Sequence, residues 1–118
     1  MYQSKFFKED EFQGIGCSRC QINDDSLRRL DRAREIAGIP FVLNSAYRSP
    51  SAELCKGRTG NSAHTRGRAF DIRALNARER YLVVFGAISA GFTRIGIGLK
   101  FVHMDDDPSL PGPVIWLY

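Results

Sequence analysis

Only two histidines occur in this chain, and each stands in a polar setting suited to metal chemistry. The first lies in the run Ser62-Ala63-His64-Thr65-Arg66-Gly67-Arg68-Ala69-Phe70-Asp71. Gly60 and Gly67 let the backbone turn tightly there, which can bring an imidazole and a carboxylate to one point. The second lies in Phe101-Val102-His103-Met104-Asp105, where alternation puts His103 and Asp105 on one strand face. Two histidines and an aspartate make a three-ligand set. Catalytic zinc typically takes three protein ligands and keeps a fourth position for water, whose pKa then falls to about 7. A histidine on a strand is more often a satisfied structural residue, so residue types by themselves leave both readings open.

The elements that must position these groups can be read from periodicity. Residues 24–37 read as a helix, capped by Asn23 or Asp24 and stopped by Gly38 and Pro40. Leu27, Leu30, Ala33, Ile36 and Ala37 recur at helical spacing, with Arg28, Arg29 and Arg32 as a solvated basic face. Residues 40–44 look like a short buried strand. The stretch 45–68 reads as a long polar loop, and loops of that length inside a domain usually carry function. Residues 69–73 alternate as a strand, with Ala69, Asp71 and Arg73 on one side. A second helix is expected over 76–90, opened by a capping box of Asn76 and Glu79, with Tyr81, Val84, Phe85 and Ile88 as its apolar face. Residues 93–98 and 100–104 read as strands joined by a turn at Gly98, and 113–117 as a last strand. A short turn or helix over 4–12 would pack through Phe6, Phe7 and Phe12. The expected class is α+β: helices covering one small, mainly antiparallel sheet.

Composition narrows the function classes. The chain has 118 residues, 43% hydrophobic and 25% charged, as in an ordinary globular protein. It reads as a single domain, 1–118, with no room for a second catalytic unit. The net charge of +4 draws the surface to polyanions. The basic residues are scattered and not interleaved with aromatics, which argues against nucleic acid as the partner. No segment approaches the ~20 apolar residues of a membrane span. The first residues show no apolar core or cleavage site of a signal peptide, so synthesis in the cytoplasm is expected. Cys17 and Cys20 form a lone CxxC and Cys55 stands apart, which fits neither a zinc finger nor a disulfide framework. Reduced, partly buried thiols are expected. Asp105, Asp106 and Asp107 before Pro108 suggest a solvated turn for the last two.

The blocks Ser45-Ala46-Tyr47-Arg48-Ser49-Pro50, Ser62 through Asp71, and Phe101 through Asp105 resemble the D-alanyl-D-alanine carboxypeptidase-type zinc peptidases. That family sits in a superfamily with lysostaphin-type enzymes and the hedgehog signalling domain. The resemblance runs over about residues 5–116 and rests on Ser62, His64, Gly67, Ala69 and Asp71 at the family's spacing. It implies that His64, Asp71 and His103 bind Zn2+, and that Arg48 is catalytic, directing its guanidinium at the substrate's carbonyl or carboxylate. Ser62 would bind substrate or steady the loop. Trp116 would wall the core or the pocket.

One departure matters. Many members carry Glu or Asp three residues before the final zinc histidine, and here that residue is Lys100. Asp105 is the nearest substitute as general base, and its rival role is to orient a ligand histidine. The implied function is hydrolysis of peptide bonds in bacterial peptidoglycan, at stem peptides or cross-links, by a monomer. Such an enzyme fits a bacteriophage endolysin made in the host cytoplasm, or a prophage or virion wall peptidase. The alternative is a non-catalytic zinc-containing wall- or ligand-binding domain of the same fold.

Overall fold

The computed structural model describes residues 1–118, and it is α+β as the periodicities predict. Helix α1 (Glu9–Gln13) and a 3-10 turn (Arg19–Gln21) precede helix α2 (Asp24–Ala37). Strand β1 (Leu43–Ser45) leads to helix α3 (Pro50–Cys55) and strand β2 (Ala69–Arg73). Helix α4 (Ala77–Ala90) is followed by β3 (Arg94–Ile97), β4 (Phe101–Asp105) and β5 (Val114–Leu117). The sheet order is β1-β2-β4-β3-β5; all neighbours are antiparallel except β3 and β5.

Helix α2 forms where expected. Asn23 caps it by accepting the Ser26 amide, and Gly38 ends it in the left-handed conformation. Leu27, Leu30, Ala33 and Ala37 are buried against the sheet's inner residues Phe70, Ile72, Val102, Met104 and Ile95. Phe7 and Phe12 close the core at the N-terminal end. Buried Asp31 holds that end down, accepting from Tyr2, Ser4 and the Lys5 amide.

Because strand residues alternate faces, the inner row fixes the outer one. With Phe70, Ile72, Val102 and Met104 facing the helices, Asp71, His103 and Asp105 must face away from them. Register then aligns Ser45, Asp71, His103, Gly96 and Trp116 as one row across five strands. The neighbouring row aligns Ala69, Asp105, Arg94 and Val114. The sheet thus has one greasy face and one that carries chemistry.

Several expectations need correction. The stretch 45–68 contains helix α3, started by Ser49 accepting the Ala52 amide and by Pro50 in the first turn. The first strand covers 43–45 rather than 40–44. Helix α4 buries Val83, Gly86 and Ala87, whereas Tyr81, Phe85 and Ile88 are 69%, 48% and 49% exposed. The reason is close packing: a Cβ on Gly86 would meet the Ala33 carbonyl oxygen of α2 at 2.4 Å, so only the small-residue face fits. Asn76 caps α4 by accepting the Glu79 amide, but the Glu79 side chain reaches past the Asn76 amide to that of Leu75, so the capping box does not close. Asp106 and Asp107 are not solvated. Arg29 and Arg68 pair with Asp106, and Arg66 with Asp107, so Arg29 leaves the solvated stripe as well. All three cysteines are free, with Cys17 buried but Cys20 and Cys55 exposed.

Candidate metal centre

His64 Nε2, Asp71 Oδ1 and His103 Nδ1 converge on the outer face of the sheet. Asp71 Oδ1 lies 3.4 Å from His64 Nε2 and 3.0 Å from His103 Nδ1. One ligand atom from each of the three residues lies within 4.8 Å of the other two. The expected ligand residues are therefore together, brought there by a loop and two paired strands.

The far nitrogen of each imidazole is also engaged. His64 Nδ1 is 2.5 Å from the Ala46 carbonyl oxygen. A carbonyl only accepts, so Nδ1 holds a proton and Nε2 is the nitrogen turned toward Asp71. His103 Nε2 is 2.6 Å from Asp105 Oδ2, leaving Nδ1 toward Asp71. Metal-binding histidines are oriented in this way, by a carbonyl or carboxylate behind the ring. Two imidazole nitrogens, each backed by a fixed partner, and a carboxylate suit a divalent cation such as zinc.

Electrostatics agree. Burial works against the charged form of Asp71, but hydrogen bonds and charge from His103 and His64 outweigh it and hold the carboxyl well below the usual range. Burial alone would lower His103; its contacts with Asp105 and Asp71 reverse that and raise it.

The surrounding cleft, of about 380 Å³, is walled by Trp116, Tyr118 and Phe101 and edged by Arg48, Arg58 and Arg94. Trp116 lies 5.3 Å from the His103 ring and 5.1 Å from the Arg94 guanidinium, so the pocket-wall role applies. It fits there because Gly96 lies between His103 and Trp116 in the row. A Cβ on Gly96 would sit 2.7 Å from the Trp116 and Tyr118 rings.

Gly67 of the motif adopts φ 70°, and a Cβ there would meet the Gln21 carbonyl oxygen at 2.2 Å. Its own carbonyl accepts the Asn23 amide at 2.9 Å, tying the ligand loop to the start of α2. Both the conformation and the close approach require glycine.

Arg48 lies at the rim of the site. Its Nε donates to Glu53 Oε2 at 3.1 Å and its Nη1 to Ser45 Oγ at 2.9 Å, while Nη1 stays 3.8 Å from Asp71 Oδ2. Nη2 makes no hydrogen bond within the protein. Ser62 Oγ donates to Glu53 Oε2 at 2.8 Å, so this hydroxyl steadies the loop. Asp105 is 1% exposed and receives donors at both oxygens: the Asp107 amide at 3.2 Å on Oδ1, and His103 Nε2 at 2.6 Å and Arg94 Nε at 3.3 Å on Oδ2. Lys100 sits in the exposed β3–β4 turn, outside the cleft.

Three participants were not legible in the sequence: Glu53, Arg94 and the Ala46 carbonyl. Reading Ser49-Pro50 as a helix start would have placed Glu53 in the first turn of α3, close behind Arg48. Nothing local marks Arg94 or Ala46, since β-sheet register and a long-range loop contact bring them in.

A mixed sheet backed by helices, with a His-Asp-His cluster on its open face and an arginine beside it, has the layout of a metallopeptidase domain. Comparison of the sequence with known families agrees: the family described as Peptidase M15 matches residues 3–105. The chain belongs to this family of zinc-dependent D-alanyl-D-alanine carboxypeptidase-type peptidases, whose substrates are peptides. No curated protein matches the chain.

Proposed function

We propose that this protein is a zinc peptidase that hydrolyses peptide bonds of bacterial peptidoglycan, acting as a single domain. The observation that carries the reading is the convergence of His64, Asp71 and His103 with Arg48 beside them, in a chain of the Peptidase M15 family. Zinc bound there would supply Lewis-acid activation of water and of the scissile carbonyl. The chain's own groups do the rest. The Ala46 carbonyl and Asp105 hold the two imidazoles in the tautomers that present their free nitrogens. Arg48 offers Nη2 to the substrate's carbonyl oxygen as charge develops on it. Trp116 and Tyr118 form an apolar wall for the peptide and exclude water from one side.

For Asp105 the contacts favour the orienting role over that of general base. Both of its oxygens already accept from donors, and it backs His103 on the side away from Asp71. The basic surface supplies affinity for an anionic wall. No helix is long and apolar enough to cross a membrane.

The test is incubation of zinc-loaded protein with purified peptidoglycan, reading new amino termini and the masses of released muropeptides. Release abolished by chelator and restored by zinc is the expected result. Bound zinc without release would instead support a non-catalytic recognition domain. The residue Lys100 at the usual position of the acid, together with a fully engaged Asp105, gives that second reading its footing.

A further inference from the structure

Glu53 is 1% exposed, yet one of its oxygens, Oε1, has no hydrogen-bond partner. Leaving a buried acceptor unpaired is costly, so such a group calls for a reason. Its other oxygen, Oε2, takes both Arg48 Nε and Ser62 Oγ. A single oxygen thus joins the arginine loop before α3 to the loop that carries His64. Burial opposes the charge on Glu53, and the bonds from Ser62 and Arg48 prevail and keep it ionised.

Arg48 has two carboxylates within ion-pair reach. Glu53 Oε2 is 3.1 Å from Nε, and Asp71 Oδ2 is 3.8 Å from Nη1, beyond hydrogen-bonding distance. An arginine beside a carboxylate tends to close on it through two parallel N–H donors. A guanidinium released from Glu53 would find that partner in Asp71. It would then occupy the carboxylate a metal needs and add positive charge beside the cation.

We propose that Glu53 is a positioning residue that holds Arg48 off Asp71, keeping Asp71 available to the metal and the Nη2 edge of Arg48 available to the substrate. This rests on the metal-site reading above. It makes Glu53 and Arg48 a coupled pair whose effect appears in metal affinity as well as in turnover.

The experiment is a double-mutant cycle on zinc affinity, measured on the whole chain by competition with a chromophoric chelator at fixed pH. The proteins are wild type, Glu53→Gln, Arg48→Gln and the double variant, each checked for native circular dichroism. Glu53→Gln keeps the shape and removes the charge. With Arg48 present it is expected to weaken zinc binding about tenfold, the low end for loss of a group supporting a metal ligand. In the Arg48→Gln background the loss shrinks to less than about threefold, since no guanidinium remains to compete. Glu53→Asp keeps the charge but shortens the reach; it shows the same dependence on Arg48 and serves if Glu53→Gln does not fold. Equal losses in both backgrounds, or no loss in either, would overturn the inference while leaving the metal site intact. A wild type that takes up no zinc would overturn the metal-site reading itself.

Discussion

Asp105 lies behind His103, and its substitution separates two chemical roles. Asp105→Asn removes the charge that holds the imidazole while keeping the side chain's size. If the contact orients His103, zinc affinity falls about 10- to 100-fold, measured by chelator competition. A general base would behave differently: zinc would stay bound and only peptide release would be lost. Asp107 carries a pH-dependent contribution. Burial opposes its charge, but hydrogen bonds from Ser109 and Arg66 prevail and lower its pKa in the folded protein. A depressed carboxyl stabilises the fold above its unfolded pKa, about 3.9. That stabilisation is lost as pH falls from there through the folded value. Asp107→Asn is therefore expected to lower Tm at pH 7, and the gap between variant and wild type narrows in thermal melts taken below about pH 4.

At the scale of elements, α4 shows how periodicity and packing can disagree. Its larger apolar residues suggest one buried face, but contact with α2 selects the face with the smallest side chains. Val83→Ala should cost roughly 1–2 kcal/mol in denaturant unfolding. Phe85→Ala, on the half-exposed side, should cost less than about 0.5 kcal/mol. The reverse order would restore the face that periodicity suggests. The Gly67 turn joins motif to scaffold, so Gly67→Ala brings left-handed strain and a clash with the Gln21 carbonyl. A loss of roughly 2 kcal/mol or more is expected in the same measurement. Helix α3 was legible only in part. Ser49 and Pro50 are sound start signals, but a helix of six residues is too short for apolar periodicity to show.

For the whole molecule, metal and fold are linked. Zinc that binds the folded chain and not the unfolded one adds stability by mass action, about 2.7 kcal/mol at a hundred times its dissociation constant. Chelator should therefore lower Tm, and returning zinc should restore it, in a calorimetric scan. A Tm indifferent to zinc would show that the His-Asp-His cluster does not bind it. Two of the three expected ligands, Asp71 and His103, sit on the interior strands β2 and β4, and the loops supply His64 and Arg48.

The amino-acid sequence by itself determined the class of fold, and its motifs pointed, through the family resemblance, to His64, Asp71 and His103 as metal ligands and to Arg48 beside them. Each of these depends on local spacing: Ser62 to Asp71 along one loop and strand, alternation around His103, and helical repeats in α2. Only the tertiary structure decided which α4 face is buried, that Asp105 lies behind His103, and that Arg94, Glu53 and the Ala46 carbonyl belong to the site. Those depend on strand register, helix packing distance and contacts between residues remote in the chain. Local sequence carries the period of an element, whereas the choice of neighbour is made when elements compete for the same buried space.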